Sequence, residues 1–133
     1  MNMREKIAAF LNGQPHAVVG ASRDRAKFGN QVLRAYVQHG RRAFPINPNA
    51  MQIEGVVAYP DLTSLPEKVH GISVITPPEI TASIIEQAGK LGIEHIWLQP
   101  GAENATAIAL AAGLNIQLIQ GGPCLLIELG FRV

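Results

Sequence analysis

Short apolar runs alternate with helix-period patterns along the whole chain, and this alternation restricts the fold more than any single motif. "HAVVG", "RAFPIN", "GISVITPP", "EHIWLQ" and "NIQLIQ" are the apolar runs, each bounded by glycine, proline or polar turn residues. Between them lie stretches with apolar residues three and four apart, the spacing of one helix face. "GNQVLRAYVQHG" places Val32, Leu33, Tyr36 and Val37 on such a face, and Gly40 is a helix stop. "PEITASIIEQAGKLG" offers Ile80, Ile84, Ala88 and Leu91 as a buried stripe, and "NATAIALAAG" is rich in helix formers. A short leading helix is expected over "EKIAAFL" and a short closing one over "PCLLIELG". "VVAYPDLTSLPEKV" reads as a loop with one turn of helix, and Pro45 marks the second strand as an edge or a bulge. Parallel neighbours require crossover helices, so the pattern predicts a three-layer α/β domain with about five parallel strands and helices on both faces.

A chain of 133 residues without repeat or linker fits one domain, residues 1–133. The net charge of +1 provides no bulk basic field for nucleic acid. No apolar run approaches the roughly 18 residues of a membrane span, and the first residues mix charge and apolar groups too closely for a signal segment. A single cysteine, Cys124, excludes an internal disulfide and suits a reducing compartment, so a cytoplasmic location is expected.

In open parallel sheets ligands sit beyond the carboxyl ends of the strands, where strand order reverses. The five strand ends read "GASRDRAKFG", "INPNA", "ITPPE", "LQPGA" and "GGPC". The first looks like a phosphate turn, but Gly20 and Gly29 stand far apart and the middle glycine of G-x-G-x-x-G is missing. The second strand ends in Asn47-Pro48-Asn49, where a dinucleotide site needs an acid for the ribose hydroxyls. No G-K-[ST] is present, which removes the P-loop alternative. What remains is a helix N-terminus preceded by Gly20, Ala21 and Ser22, with three cations in the loop: Arg23, Arg25 and Lys27. Free helix amides and basic side chains together suit a ligand with several phosphate groups. Arg41 and Arg42 precede the second strand and belong to the opposite edge.

In order and spacing, "VVGAS" with Lys27 and Gly29, "INP", "YPDLTSLP", "ITPPE", "GIEHIWLQPGA" and "CLLIE" resemble the CoA-binding protein family, from His16 to about Glu128. Its members are small Rossmann-like relatives of the CoA-binding domain in succinyl-CoA synthetase alpha subunits and ADP-forming acyl-CoA synthetases. The resemblance implies a site for coenzyme A or an acyl-CoA along the carboxyl edge. Gly20, Ala21, Ser22, Arg23, Lys27, Phe28 and Gly29 would surround the phosphates, and Asn47 and Pro48 the nucleotide. Thr76, Pro77 and Pro78 would flank the adenine or the pantetheine, and Gln99, Pro100 and Gly101 would approach the pantetheine arm, with Cys124 near. The family commonly has a polar or charged pair before the cysteine, whereas this chain has Gly121-Gly122-Pro123.

Among the other chemistry-bearing residues, Cys124 reads as a small buried hydrophobe without a fixed base. His16, His39, His70 and His95 precede strands or end a helix, away from the carboxyl edge. None resembles the phosphorylated histidine of the synthetases. Trp97 lies within a strand and is expected in the core. No acid–base pair and no metal spacing stand out. Three functions stay open: a stand-alone, non-catalytic CoA-binding protein, a subunit of a split NDP-forming acyl-CoA synthetase, and a nucleotide-sensing regulator. A homo-oligomer or a ligase partner chain is compatible with the first two; no nucleic acid or membrane partner is expected.

Overall fold

The computed structural model describes residues 1–133. Helix α1 (Met3–Leu11) leads into strand β1 (His16–Val19), helix α2 (Phe28–Gln38) and strand β2 (Ala43–Ile46). A small hairpin, β3 (Gln52–Ile53) and β4 (Val56–Val57), and a 3₁₀ turn (Leu62–Ser64) precede β5 (Gly71–Val74). Then come α3 (Pro78–Lys90), β6 (His95–Leu98), α4 (Ala105–Gly113), β7 (Gln117–Ile119) and α5 (Leu125–Leu129). Five strands form one sheet in the order β2-β1-β5-β6-β7, and every pairing is parallel. The expected α/β architecture is therefore present, with the order reversing between β1 and β5, where a crevice opens in such sheets. Val19 lies level with Ile46 on one side and Val74 on the other, so three loops leave the same edge together.

Alternation along the strands divides the core. Ala17, Val19, Ile72, Val74, Ile96 and Leu98 face α3 and α4, packing on Ile85, Ala88, Ala107 and Ala111. Val18, Trp97 and Ile119 face the other way, onto Ile7 and Phe10 of α1, Val32, Leu33 and Tyr36 of α2, and Leu125 of α5. Trp97 is fully buried, as expected, and its indole N–H donates to the Pro123 carbonyl at 2.9 Å. Pro45 sits in an edge strand, where its missing N–H costs no ladder bond.

Two expectations need correction. Helix α3 buries Thr81, Ile85 and Ala88, while Ile80 and Leu91 are 45% and 37% exposed and Ile84 is half-buried. Hydrophobicity alone selects the wrong face, because the Thr81 hydroxyl is hidden by donating to the Ala102 carbonyl at 2.8 Å. The loop after β2 contains the β3–β4 hairpin as well as the expected helical turn. Its tip, Glu54-Gly55, has φ of 50° and 76° at successive residues, the backbone of a tight primed turn built without the usual Asn-Gly.

The amino edge of the sheet is a structural cluster. The C-terminal carbonyls of α1 are capped by side chains: His70 Nε2 donates to Ala9, His16 Nε2 to Phe10, both at 2.8 Å, and Arg41 to Leu11. A carbonyl only accepts, so both imidazoles present an Nε2–H here. The His16 ring stacks between Phe10 and Tyr36, with centroids 4.5 and 5.3 Å away. Burial lowers the His16 pKa to about 4, and its Nδ1 has no partner. The buried Tyr36 hydroxyl pairs with Ser73 Oγ at 2.7 Å, and its pKa is raised by burial.

Candidate functional site

The loop after β1 begins with a close approach of three backbone segments. Gly20 has φ of 97°, and a Cβ there would stand 1.9 Å from the Ile75 carbonyl oxygen. A Cβ on Gly29 would stand 1.9 Å from the Gly20 carbonyl oxygen. Glycine is required at both positions, because the end of β1 lies against the Ile75 backbone on one side and the first turn of α2 on the other.

Beyond Gly20, protein donors tie down the loop carbonyls. Asn47 Nδ2 holds the Ala21 oxygen at 3.0 Å, and Asn30 Nδ2 holds that of Ser22 at 2.9 Å. Lys27 N–H holds the Asp24 oxygen at 3.0 Å, and Arg34 Nη2 that of Arg25 at 2.9 Å. Ser22 Oγ and Asp24 Oδ1 accept from the amides two residues on, which fixes the turn locally. The amides of Ser22, Arg23, Phe28 and Gly29 form no hydrogen bond within the protein. A loop whose carbonyls are held while these amides stay free is suited to an anion.

Electrostatics point the same way. Lys27 is the N-cap of α2 without a side-chain cap, and the first turn contains no acid. A cation at the positive end of a helix dipole is unfavourable by itself, so this end favours a bound negative charge. Arg25 differs from its neighbours: its Nη1 is 2.7 Å from Glu54 Oε1. Of the three loop cations, Arg23 and Lys27 are the two outside any salt bridge.

Two concavities meet over this loop. A groove of about 450 Å³ is lined by Gly20, Ala21, Ser22, Lys27, Phe28, Gly29, Asn47 and Ile75. A cleft of about 470 Å³ shares Gly20, Ala21 and Asn47 with it and runs towards α3. Its walls include Ile46, Pro48, Pro60, Leu62, Ile80 and Ile84, with Asn49, Asp61, Thr76 and Gln87 as polar members. The arrangement is an apolar slot continuous with an anion-suited loop, at the switch point of the sheet. Volumes of this order are typical of small-molecule sites. The Asp61 carboxyl is held below its usual range, chiefly by the Thr63 hydroxyl that donates to it at 2.6 Å, so it stays ionised at the rim.

A family model described as "CoA binding domain" matches residues 15–130. The chain belongs to the CoA-binding domain family. It is 27% identical over 105 residues to "Acetate--CoA ligase [ADP-forming] I" of Archaeoglobus fulgidus, covering 79% of this chain and 14% of that protein. It is 26% identical over 88 residues to "Acetate--CoA ligase [ADP-forming] II subunit alpha" of Pyrococcus furiosus, covering 65% of this chain and 19% of that one. The chain thus spans less than a quarter of the length of the curated relatives it matches. A solved structure of a conserved hypothetical protein from Pyrococcus furiosus superposes with a TM-score of 0.82 at 31% identity, covering 87% of this chain and 99% of that one.

The fold brings together only part of the set expected from the family. Gly20, Ala21, Ser22, Lys27, Phe28, Gly29, Asn47, Pro48 and Thr76 all line the joined groove and cleft. Arg23 lines an adjoining cavity of about 490 Å³ that shares Asn49 with the cleft and includes Met51, Gln52, Ile53, Glu54 and Gly55. Pro77 and Pro78 are the N-cap and first residue of α3, exposed and outside the lining. Gln99 is fully buried and structural, its Oε1 accepting the Leu125 N–H at 2.9 Å, and its Nε2 has no partner. Pro100 and Gly101 are exposed beyond β6, and half-buried Cys124 is the N-cap of α5; none of them lines the cleft.

The residues missed from sequence are Ile80, Ile84, Gln87, Pro60, Asp61 and Leu62 on the cleft, and Asn30 and Glu54 behind the loop. Ile80 and Ile84 were readable as a second apolar stripe left over once Thr81, Ile85 and Ala88 fill the core face. Asn30 and Glu54 had no readable signal, because their partners meet only in the folded chain.

Proposed function

We propose that this domain binds coenzyme A or an acyl-CoA at the carboxyl edge of its sheet. The single observation that supports this most is the continuity of an apolar slot with a loop of free amides and cations. Coenzyme A has a diphosphate flanked by an adenosine 3′-phosphate on one side and pantetheine on the other. In this reading the Phe28 and Gly29 amides and Lys27 hold the diphosphate, with Ser22 beside it. Asn47, Pro48 and Thr76 lie against the nucleotide, and Ile80 and Ile84 cover its apolar face. Pro100, Gly101 and Cys124 lie towards the far end of the pantetheine arm, while buried Gln99 anchors the first turn of α5. The unpaired cysteine suits a reducing cytoplasm.

Calorimetric titration with CoA, NADH and ATP tests the reading. CoA is expected to bind and NADH to bind far more weakly, since the loop after β2 presents Asn47 and Asn49 where a nicotinamide site places an acid. Tight NADH binding with silent CoA would overturn it. Mass spectrometry of the ligand released from purified protein then identifies the acyl group.

A second reading, a component of a split ADP-forming acyl-CoA synthetase with a partner chain, is favoured by a specific observation. One matched relative is a "subunit alpha", and this domain covers 19% of it. A chain that co-purifies with this one separates the two, and its presence would reverse the ranking; under either reading the isolated chain, incubated with ATP, CoA and short carboxylic acids, is expected to form no thioester.

A further inference from the structure

Behind the phosphate loop, and outside both concavities over it, four side chains close a ring. Glu54 Oε1 accepts from Arg25 Nη1 at 2.7 Å, and its Oε2 accepts from Asn30 Nδ2 at 3.2 Å. Asn30 Oδ1 accepts from Arg34 Nε at 2.8 Å, and Arg34 Nη2 returns to the Arg25 carbonyl at 2.9 Å. Asn30 is fully buried, and its amide also holds the Ser22 carbonyl at 2.9 Å. The ring therefore fixes two of the loop carbonyls, those of Ser22 and Arg25, that would repel a phosphate if they turned outward.

We infer that Glu54, on the β3–β4 hairpin, is a positioning residue for the phosphate loop, acting through Asn30 and Arg25 without touching the ligand; this rests on the CoA reading above. Three observations support it. Glu54 lines neither the groove over the loop nor the cleft, only the adjoining cavity of Arg23, and both its oxygens are spent on Arg25 and Asn30. Its backbone is held at φ 50°, which a non-glycine residue adopts only when its surroundings demand it. Both carboxylate oxygens end on residues of the loop and of the first turn of α2, and the side chain is only 20% exposed. The ion pair also takes Arg25 out of the set of free cations. The hairpin thereby joins the segment between β2 and β5, which forms the wall of the cleft opposite α3, to the loop after β1, which lines the groove. Removing the carboxylate leaves a buried Asn30 N–H with one acceptor fewer and frees the Arg25 side chain.

Two variants of the full chain, Glu54→Ala and Glu54→Gln, test the inference with and without ligand. In the free protein, hydrogen exchange followed by mass spectrometry should accelerate about tenfold or more over Asp24–Gln31 in the alanine variant, while β5 and β6 keep their rates. Glu54→Gln retains one acceptor oxygen and should fall between. CoA should bind the alanine variant about tenfold more weakly, whereas pantetheine, which has no phosphate, should bind both proteins alike. Unchanged exchange in both variants would overturn the inference. So would tighter CoA binding, which would make Glu54 an inhibitory competitor for Arg25. Failure of the wild-type chain to bind CoA would remove the phosphate reading and leave the exchange result to decide the role of Glu54 in the loop.

Discussion

Gly29→Ala is the sharpest probe of the site, because it changes one methyl group and no charge. The added carbon would stand 1.9 Å from the Gly20 carbonyl oxygen, 2.9 Å from its carbon and 3.2 Å from Ala21 Cα. Comfortable contact needs roughly 3.4 Å or more, so strand end and helix must separate by about 1.5 Å. The obstacle is backbone and cannot rotate aside. In a helix alanine is otherwise favoured over glycine, so any loss comes from the clash alone. Overpacking of this kind destabilises by about 1–3 kcal/mol, equivalent to a fall of roughly 3–15 °C in Tm for a domain of this size. The effect on binding should be larger. The Phe28 and Gly29 amides move with the helix, and each charge-assisted hydrogen bond contributes about 1.5–3 kcal/mol. Losing both weakens CoA by about a hundredfold or more. Thermal unfolding followed by circular dichroism and calorimetric titration with CoA measure the two effects. Gly113→Ala is the control, since a Cβ there meets nothing within 4 Å. Wild-type affinity and Tm in Gly29→Ala would refute the idea that close packing of helix on strand end builds the site.

Lys27→Ala should weaken CoA about ten- to hundredfold, with a reduced dependence on salt. Equal losses for CoA and dephospho-CoA would place the lysine on the diphosphate, and a loss confined to CoA would place it on the 3′-phosphate; no loss for either ligand would remove it from the site. Acid should destabilise the fold through His16. Its folded pKa of about 4 lies below the ordinary 6.5, so the neutral ring contributes its full stability above pH 6.5. That contribution is lost as pH falls from 6.5 towards 4, since the unfolded chain takes up the proton first. The total is about 3 kcal/mol, of which about 2 kcal/mol is gone by pH 5. A His16→Gln variant should show a flatter Tm between pH 7 and 5, and an equal slope would exclude His16 as the cause. Tyr36→Phe should cost about 1–2 kcal/mol by leaving buried Ser73 Oγ without its partner, with CoA binding unchanged; a large loss of affinity would show that the amino-edge cluster reaches the site.

What the sequence revealed, and what it concealed, divides by the range of the interactions involved. The alternation of apolar runs and helical spacings is local, so the parallel sheet and its two helical layers could be read directly. Gly20 and Gly29 were legible for the same reason: each stands at the end of one element, where a backbone must come close. The stripe on α3 was misread because burial there depends on a partner from another segment. Thr81 enters the core only because the Ala102 carbonyl accepts its hydroxyl, and that turns Ile80 towards solvent, on the cleft wall. Gln99, which the family resemblance put near the pantetheine arm, shows the converse: its side chain is buried and its amide oxygen accepts from the first turn of α5. A polar side chain at a strand end has two destinations, the ligand or the next helix, and only the path of the following loop decides between them. Here Gly121-Gly122-Pro123, where the family commonly has a polar pair, leads α5 back over the sheet, with Trp97 holding Pro123 and Gln99 holding Leu125. Two buried side chains from β6 and its end anchor a short helix of five residues across the sheet, and the groove and cleft proposed to take the ligand lie at the ends of β1, β2 and β5.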